Sequence, residues 1–205
     1  MSQPQKKQTF RRGFKKWTDD KVIEIRRQLG LKEYSPVCAF DLCKFFNIPI
    51  LTPSDIKELP EYYLAELLGN GAASWSAVTI PINNTSHIII HNPMNTPARQ
   101  QSDIMHELEH IICEHTLTAD HDQACFAGCL RNIDGTKEEE ATWFGACLQL
   151  PRPALLYCLN RKMSVEDIAK KYNCSTEMAQ YRINITGVSK QISRSYRRNR
   201  RVYFL

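Results

Sequence analysis

The sequence predicts an α+β fold that is mostly helical and contains a small antiparallel sheet. Three observations support this prediction. Apolar residues recur at helical spacing around the segment His106–His110. Two strand-like runs, Ala73–Pro81 and His87–His91, flank the turn-forming residues Asn83-Asn84-Thr85. Near the C-terminus, residues 164–187 have the pattern of two helices joined by a short turn, as in a helix-turn-helix.

The bulk composition is that of a chain with one main core. Its 205 residues suit one domain with a small appendage, and 42% of them are hydrophobic. No apolar run approaches the ~20 residues that a membrane span needs, so we expect no membrane contact. The N-terminus lacks the apolar segment of a secretory signal, and eight cysteines are too sparse for a disulfide scaffold. We therefore expect a cytoplasmic chain with reduced thiols.

The net charge of +5 is unevenly placed along the chain. Twelve of the 27 basic residues lie near the two ends, which leaves 15 basic against 22 acidic residues between them. We predict a basic, flexible N-terminal segment at 1–16, a main domain at 17–189 that closes with 164–187, and a basic tail at 190–205. We favour solvated ends over contact with nucleic acid or an acidic partner, because the acidic body would repel DNA.

The elements of the first half follow from local patterns. Apolar residues spaced among charges predict helices over Trp17–Leu29, Pro36–Phe46 and Leu59–Leu68. A short strand, Ile48–Leu51, is predicted between the second and third helices. Pro49 favours an edge position for that strand, because proline cannot donate to a neighbouring strand.

The segment from Arg99 to His115 carries the chemistry. It contains no Gly or Pro, and Pro97 precedes it where a helix would begin. Residues four apart lie on one face of a helix, so His106 and His110 can direct two imidazoles at one Zn²⁺. Glu107 lies beside them, where it can take a proton from a water molecule. The H-E-x-x-H pattern also occurs by chance in unrelated helices, so further evidence is needed.

A catalytic zinc needs a third protein ligand and an open position. A second predicted helix, Lys137–Pro151, offers three consecutive carboxylates in its first turn: Glu138, Glu139 and Glu140. Spacing alone does not choose among them. For two of the three we expect the ordinary role of acidic residues in a first turn, which is to face solvent and oppose the helix dipole.

The two motifs together resemble those of the ImmA/IrrE family of zinc metallopeptidase-like proteins. The matching pieces are an Arg-containing approach and H-E-L-x-H helix at Arg99–His110, a further His115, and the run Glu138–Pro151, which has the form E-x-E-A. The resemblance extends over most of the chain. In two places the chain departs from the family pattern: Glu109 stands where the family usually has Gly or Ala, and Gly145 replaces a common Ala.

The resemblance implies a gluzincin-like zinc metallo-endopeptidase. Its ligands would be His106, His110 and Glu138, with Glu140 as the reserve, and Glu107 would be the general base. It also implies a role in transcription regulation, because family members often cleave or inactivate a helix-turn-helix repressor encoded nearby in a mobile element. Two other functions stay open: a zinc-containing regulator that binds a repressor or DNA without cleaving it, and a protease toxin held by an antitoxin.

Three further features lie around these motifs. The strand His87–His91 directly precedes the metal helix, where zinc peptidases of this type present a strand edge to an extended substrate. His91 is therefore a candidate substrate-binding residue, although we favour a packing role for it. After His110 the chain carries four residues that could form a second metal site: His115, His121, Cys125 and Cys129. Their spacing is not that of the usual zinc motifs, which disfavours a second metal.

The C-terminal segment has clear helix starts. Ser164 with Asp167 three residues later is a capping-box variant, and Ser175 is a second N-cap. The second helix offers Arg182 and little else to DNA. We therefore favour a packing role for this segment over DNA reading, which stays the second alternative.

Overall fold

Helices dominate the fold, and the computed structural model describes residues 10–83, 85–113 and 135–194. The strands are β1 (Ile50–Leu51), β2 (Ala77–Pro81) and β3 (His87–His91). The helices are α1 (Phe14–Gln28), α2 (Ala39–Phe45), α3 (Glu61–Leu68), α4 (Pro97–Ile112), α5 (Gly135–Gln149), α6 (Arg152–Asn160), α7 (Val165–Tyr172) and α8 (Thr176–Thr186). The candidate second metal set and most of the two basic ends lie outside the described residues.

The three strands form a mixed sheet in the order β1-β3-β2. β2 pairs antiparallel with β3, whereas β1 pairs parallel with it. The prediction of an antiparallel sheet is therefore wrong for β1. After β1 the chain passes through α3 and then forms the β2–β3 hairpin, so β3 returns in the direction of β1. The edge position predicted from Pro49 is confirmed, and its carbonyl accepts a hydrogen bond from the Ile89 N–H at 2.9 Å.

β3 is the central strand, and this overturns the expectation that it presents an edge to substrate. β1 pairs with one of its edges and β2 with the other, and Ile89 at its middle is fully buried. Central strands are apolar because helices and neighbouring strands cover them. The outer edge that lies nearest α4 belongs to β2, whose Thr79 stands opposite Ile89.

α4 lies between the sheet and α5, and its apolar face forms the main core. Ile104, Met105 and Leu108 are fully buried. α5 approaches α4 closely at Gly145, where an added Cβ would lie 3.3 Å from the backbone nitrogen of His106. Glu138 precedes Gly145 by seven residues, about two helical turns, so both lie on the face of α5 that meets α4.

α1 begins at Phe14, three residues before the predicted start. Phe14 is buried, so residues 14–16 of the predicted N-terminal segment belong to the packed helix. The apolar residues Phe14, Val22 and Ile25 are buried in the main core, and their burial stabilises the packing of α1. Arg26 on the same helix is also buried and donates to the Leu148 carbonyl at 2.7 Å, near the end of α5.

The last three helices form a second apolar cluster around Leu155, Ile168 and Ala179. The capping box of Ser164 and Asp167 begins α7, and the Ser175 hydroxyl caps α8. Two helices thus occupy the segment as predicted. In the part of the chain that is described, no helix is long and apolar enough to cross a membrane.

Arg182 is the main basic residue that the second helix of this segment offers to DNA, and it is not available. Its side chain is 1% exposed, and its Nε donates to the Leu150 carbonyl at 3.1 Å. This supports the packing role predicted for the segment, because a guanidinium that caps a buried carbonyl cannot contact a phosphate.

Candidate metal centre

The two histidines of α4 and one carboxylate of α5 meet at one point. Nε2 of His106 and Nε2 of His110 lie 3.3 Å apart. The Glu138 carboxylate lies across from both, with Oε2 at 3.2 Å from His106 Nε2 and Oε1 at 3.4 Å from His110 Nε2. His110 is fully buried, while the side chains of His106 and Glu138 are 29% and 42% exposed. The cluster therefore opens to solvent on one side.

These separations fit a bound metal ion. The nearest nitrogen and oxygen atoms of the three residues lie within 4.8 Å of one another. Ligands about 2.0–2.1 Å from a tetrahedral Zn²⁺ lie about 3.3 Å from each other, and the three separations between the His106, His110 and Glu138 atoms are close to that length. Two imidazoles and a carboxylate also leave the fourth tetrahedral position open.

The charges at the centre reinforce this arrangement. Hydrogen bonds from His106 and His110 hold the pKa of Glu138 well below its usual range. Burial opposes protonation of His106, but the Glu138 and Glu107 carboxylates outweigh it and raise the pKa of His106. An ionised carboxylate beside two imidazoles attracts a cation, and binding the metal requires that His106 lose its proton.

The reserve ligand, Glu140, lies in a different contact. Its carboxylate accepts a hydrogen bond from the Arg11 N–H at 3.2 Å and pairs with the Arg11 Nε at 3.6 Å. Residues that are two positions apart in a helix point about 200° from each other around its axis, so Glu138 and Glu140 face opposite sides of α5. The structure thus brings Glu138, and not Glu140, to the two histidines.

Glu107 lies on α4 between the two histidines in sequence and is 4% exposed. The Thr79 hydroxyl of β2 donates to its Oε2 at 2.6 Å, and Thr79 is equally buried. Sequence reasoning missed Thr79. Its only sequence signal is that it occupies the inward face of a predicted strand, which many core residues share.

Comparison with known proteins bears on this site directly. The family model described as the IrrE N-terminal-like domain, Peptidase M78, matches residues 70–184, which is more than half of the chain. The chain belongs to the peptidase M78 family. This confirms the resemblance to the ImmA/IrrE proteins, and it supports a metallopeptidase-type function. A comparison with curated proteins finds no match.

The M78 match includes every residue of the metal cluster as well as Thr79 and Glu107. It also includes the departure at Glu109, which lies behind the cluster and is fully buried. Burial raises the pKa of Glu109 to about 7, against a hydrogen bond with Cys113 that lowers it. Its Oε2 is 3.9 Å from Nδ1 of His110, so this carboxylate lies on the far side of the His110 ring from Nε2.

His91, the candidate substrate-binding residue, packs against Phe40 of α2. Its side chain is 7% exposed, and its ring meets the Phe40 ring edge-on with 5.3 Å between centroids. Burial lowers the pKa of His91. The packing role that we favoured agrees with this placement, and contact with substrate stays a prediction.

A cleft of about 230 Å³ adjoins the centre. Its walls come from the residue before β2 and from the helices α4, α5 and α8. The lining residues are Ser76, Ser102, Asp103, His106, Glu107, Ala141, Thr142, Gly145, Ala146 and Met178. His106 and Glu107 face this space together. The M78 site therefore combines a candidate metal ligand with a candidate base in one wall of a cleft.

Proposed function

We propose that the protein is a zinc-dependent endopeptidase that cleaves a regulatory protein. The observation that carries the proposal is the convergence of His106, His110 and Glu138 at metal-ligand spacing beside Glu107. A site whose only role is structural needs no carboxylate at this position, because four-coordinate structural zinc is closed to water. The M78 family assignment supports hydrolysis of a peptide bond.

Zinc, when held by these three residues, would supply a Lewis acid for a carbonyl oxygen and for a water molecule. Glu107 accepts the proton of the attacking water and then delivers it to the leaving amine. Thr79 restricts the rotation of Glu107 through the 2.6 Å hydrogen bond to Oε2. Restriction of this kind lowers the entropy that must be lost when the base and the water are brought into line.

The substrate would bind in an extended conformation along β2. Within the described residues the outer edge of β2 has no strand beside it, and Ser76 just before β2 lines the cleft. An extended peptide can add to such an edge through main-chain hydrogen bonds, with its side chains alternating between cleft and solvent. This supports an endopeptidase, because a strand edge accepts a chain that continues in both directions.

The regulatory role and the choice of a helix-turn-helix repressor as substrate rest on the resemblance to the ImmA/IrrE proteins. We infer a protein partner on the same basis. The burial of Arg182 supports a protein substrate over DNA, because the second helix of the segment that resembles a helix-turn-helix has its main cation inside the domain.

Elemental analysis of the purified protein tests the metal site. We expect one zinc per chain in the wild type and in Glu140→Ala, and loss of zinc in Glu138→Ala, because only Glu138 reaches the histidines. Glu140→Ala is the matched control, since it removes the same side chain two residues away. A folded wild type that takes up no zinc from solution contradicts the proposal.

Glu107→Gln tests the chemistry. This variant keeps the shape of the side chain but cannot accept the proton, so we expect it to retain zinc and lose cleavage of the cognate repressor. Identification of the repressor by mass spectrometry of cells that express wild type or Glu107→Gln provides the assay. A Glu107→Gln protein that regulates its target as the wild type does would exclude proteolysis and favour the binding regulator.

A further inference from the structure

The cleft beside the metal centre has one acidic residue that the proposed chemistry does not use. Asp103 lies on α4 one turn before His106 and Glu107, and all three line the same cleft. On a helix, residues three and four apart share a face, so the Asp103 carboxylate is on the same side as the reacting groups. The remaining walls near it are neutral: Ser76, Ser102, Ala141, Thr142, Gly145, Ala146 and Met178.

The contacts of Asp103 leave half of its carboxylate for a ligand. Its Oδ2 accepts from the Asn95 amide at 3.1 Å and lies 3.8 Å from the Arg99 Nε. In the part of the chain that is described, Oδ1 accepts no hydrogen bond. The hydroxyl of Ser102, the residue before Asp103, donates to the Gln149 side chain at 3.0 Å and not to Asp103.

The nearby cation neutralises Asp103 only weakly. The Arg99 side chain is 57% exposed, whereas that of Asp103 is 17% exposed, and exposed ion pairs at such distances contribute little. Burial raises the pKa of Asp103, and the Arg99 charge and the Asn95 hydrogen bond lower it. A carboxylate that has lost part of its hydration gains more from a second cation than a solvated one does.

We propose that Asp103 forms a subsite that selects a cationic group of the substrate next to the scissile bond. The ligand chemistry is an ammonium or a guanidinium, supplied either by a Lys or Arg side chain or by a free amino terminus. Met178 on the neighbouring wall suits the methylene stem of a long basic side chain, which buries its carbons and directs its charge to a polar partner. This inference rests on the proposed function.

Three hydroxamates that differ in whether and where they carry a cation test the subsite. Hydroxamates chelate zinc, so each compound anchors its side chain beside the metal without any turnover. Nα-acetyl-norleucine hydroxamate carries no cation, Nα-acetyl-lysine hydroxamate has one on the side chain, and norleucine hydroxamate has one at the amino terminus. Binding to the zinc-loaded protein is measured by calorimetry near neutral pH.

We expect one of the two cationic compounds to bind roughly tenfold more tightly than acetyl-norleucine hydroxamate, which is the lower end for a hydrogen bond to a charged group. Tighter binding of the acetyl-lysine compound identifies a side-chain subsite, as an endopeptidase requires. Tighter binding of free norleucine hydroxamate identifies an amino-terminal subsite, which keeps the inference and replaces the endopeptidase by an aminopeptidase. Equal affinities for all three overturn the inference while leaving the zinc site intact. Zinc-loaded protein that binds none of them contradicts the proposed function and the inference with it.

Asp103→Asn removes the charge and keeps the shape, so we expect it to bind the three compounds equally and to retain its zinc. Asp41→Asn, the same change at an exposed position of α2, is the matched control and should keep the wild-type preference. Preference for the cationic compound that persists in Asp103→Asn assigns the selectivity to another group and overturns the proposal.

Discussion

The hydrogen bond from Thr79 to Glu107 makes a specific prediction for Thr79→Val. Valine has nearly the shape of threonine but no hydroxyl, so the substitution removes the donor at 2.6 Å from Oε2 without opening a large cavity. Both residues are 4% exposed, so solvent replaces the lost donor poorly. A hydrogen bond to a charged group contributes about 1.5–3 kcal/mol, and about 1.4 kcal/mol corresponds to a tenfold change in rate.

We therefore expect Thr79→Val to lower kcat/KM by roughly tenfold to a hundredfold, if the bond acts by holding the base in line. The zinc content should not change, because Thr79 does not contact the metal cluster. Hydrolysis of an identified peptide substrate measures the first quantity, and elemental analysis measures the second. Urea unfolding separates a loss of position from a loss of fold.

Thr79→Ser is the matched control, because it keeps the hydroxyl and loses only a methyl group. We expect it to retain most of the activity. An unchanged kcat/KM in Thr79→Val, or an equal loss in Thr79→Ser and Thr79→Val, would refute the positioning role and assign the strand only to packing.

Two further predictions concern stability. The pKa of Glu109 is raised to about 7, so the folded metal-free protein binds a proton that the unfolded chain releases above about pH 4.5, and stability falls as pH rises through this interval. Glu109→Gln should therefore raise the free energy of unfolding by roughly 1–3 kcal/mol near pH 8 and by much less near pH 4. Urea unfolding at the two pH values measures the difference, and equal effects at both would contradict this. Arg26→Met removes donors to the carbonyls of Leu148, Ser35 and Val22 and leaves the end of α5 without its buried partner. We expect a loss of about 2–4 kcal/mol in urea unfolding, and a midpoint like that of the wild type would show that α5 does not depend on this contact.

Local patterns predicted the elements of the site well. β3 has the predicted bounds, and α4 begins at Pro97 with the Thr96 hydroxyl as its N-cap. The face shared by His106 and His110 also followed from the sequence, because it depends only on the helical repeat. The capping box at Ser164 formed as predicted for the same reason, since all of its hydrogen bonds join residues within one turn.

Contacts between distant segments could not be predicted in this way. Three consecutive glutamates begin α5, and nothing in their spacing shows which of them faces α4. Arg11 pairs with Glu140, and the close approach of α5 to α4 at Gly145 brings Glu138 to the two histidines. The direction of β1 and the partner of Glu107 on β2 likewise depend on which strands become neighbours.

The sequence by itself determined the class of chemistry: two imidazoles and a carboxylate on one helix face, with acidic residues available on a second helix. Spacing within a helix is a local property, because each turn repeats the same backbone geometry. Only the tertiary structure decided the candidate third ligand, the residue that hydrogen-bonds the candidate base, and the acidic wall of the cleft at Asp103. These depend on packing between segments far apart in the chain, where the burial of apolar faces selects one arrangement among many that the local patterns allow.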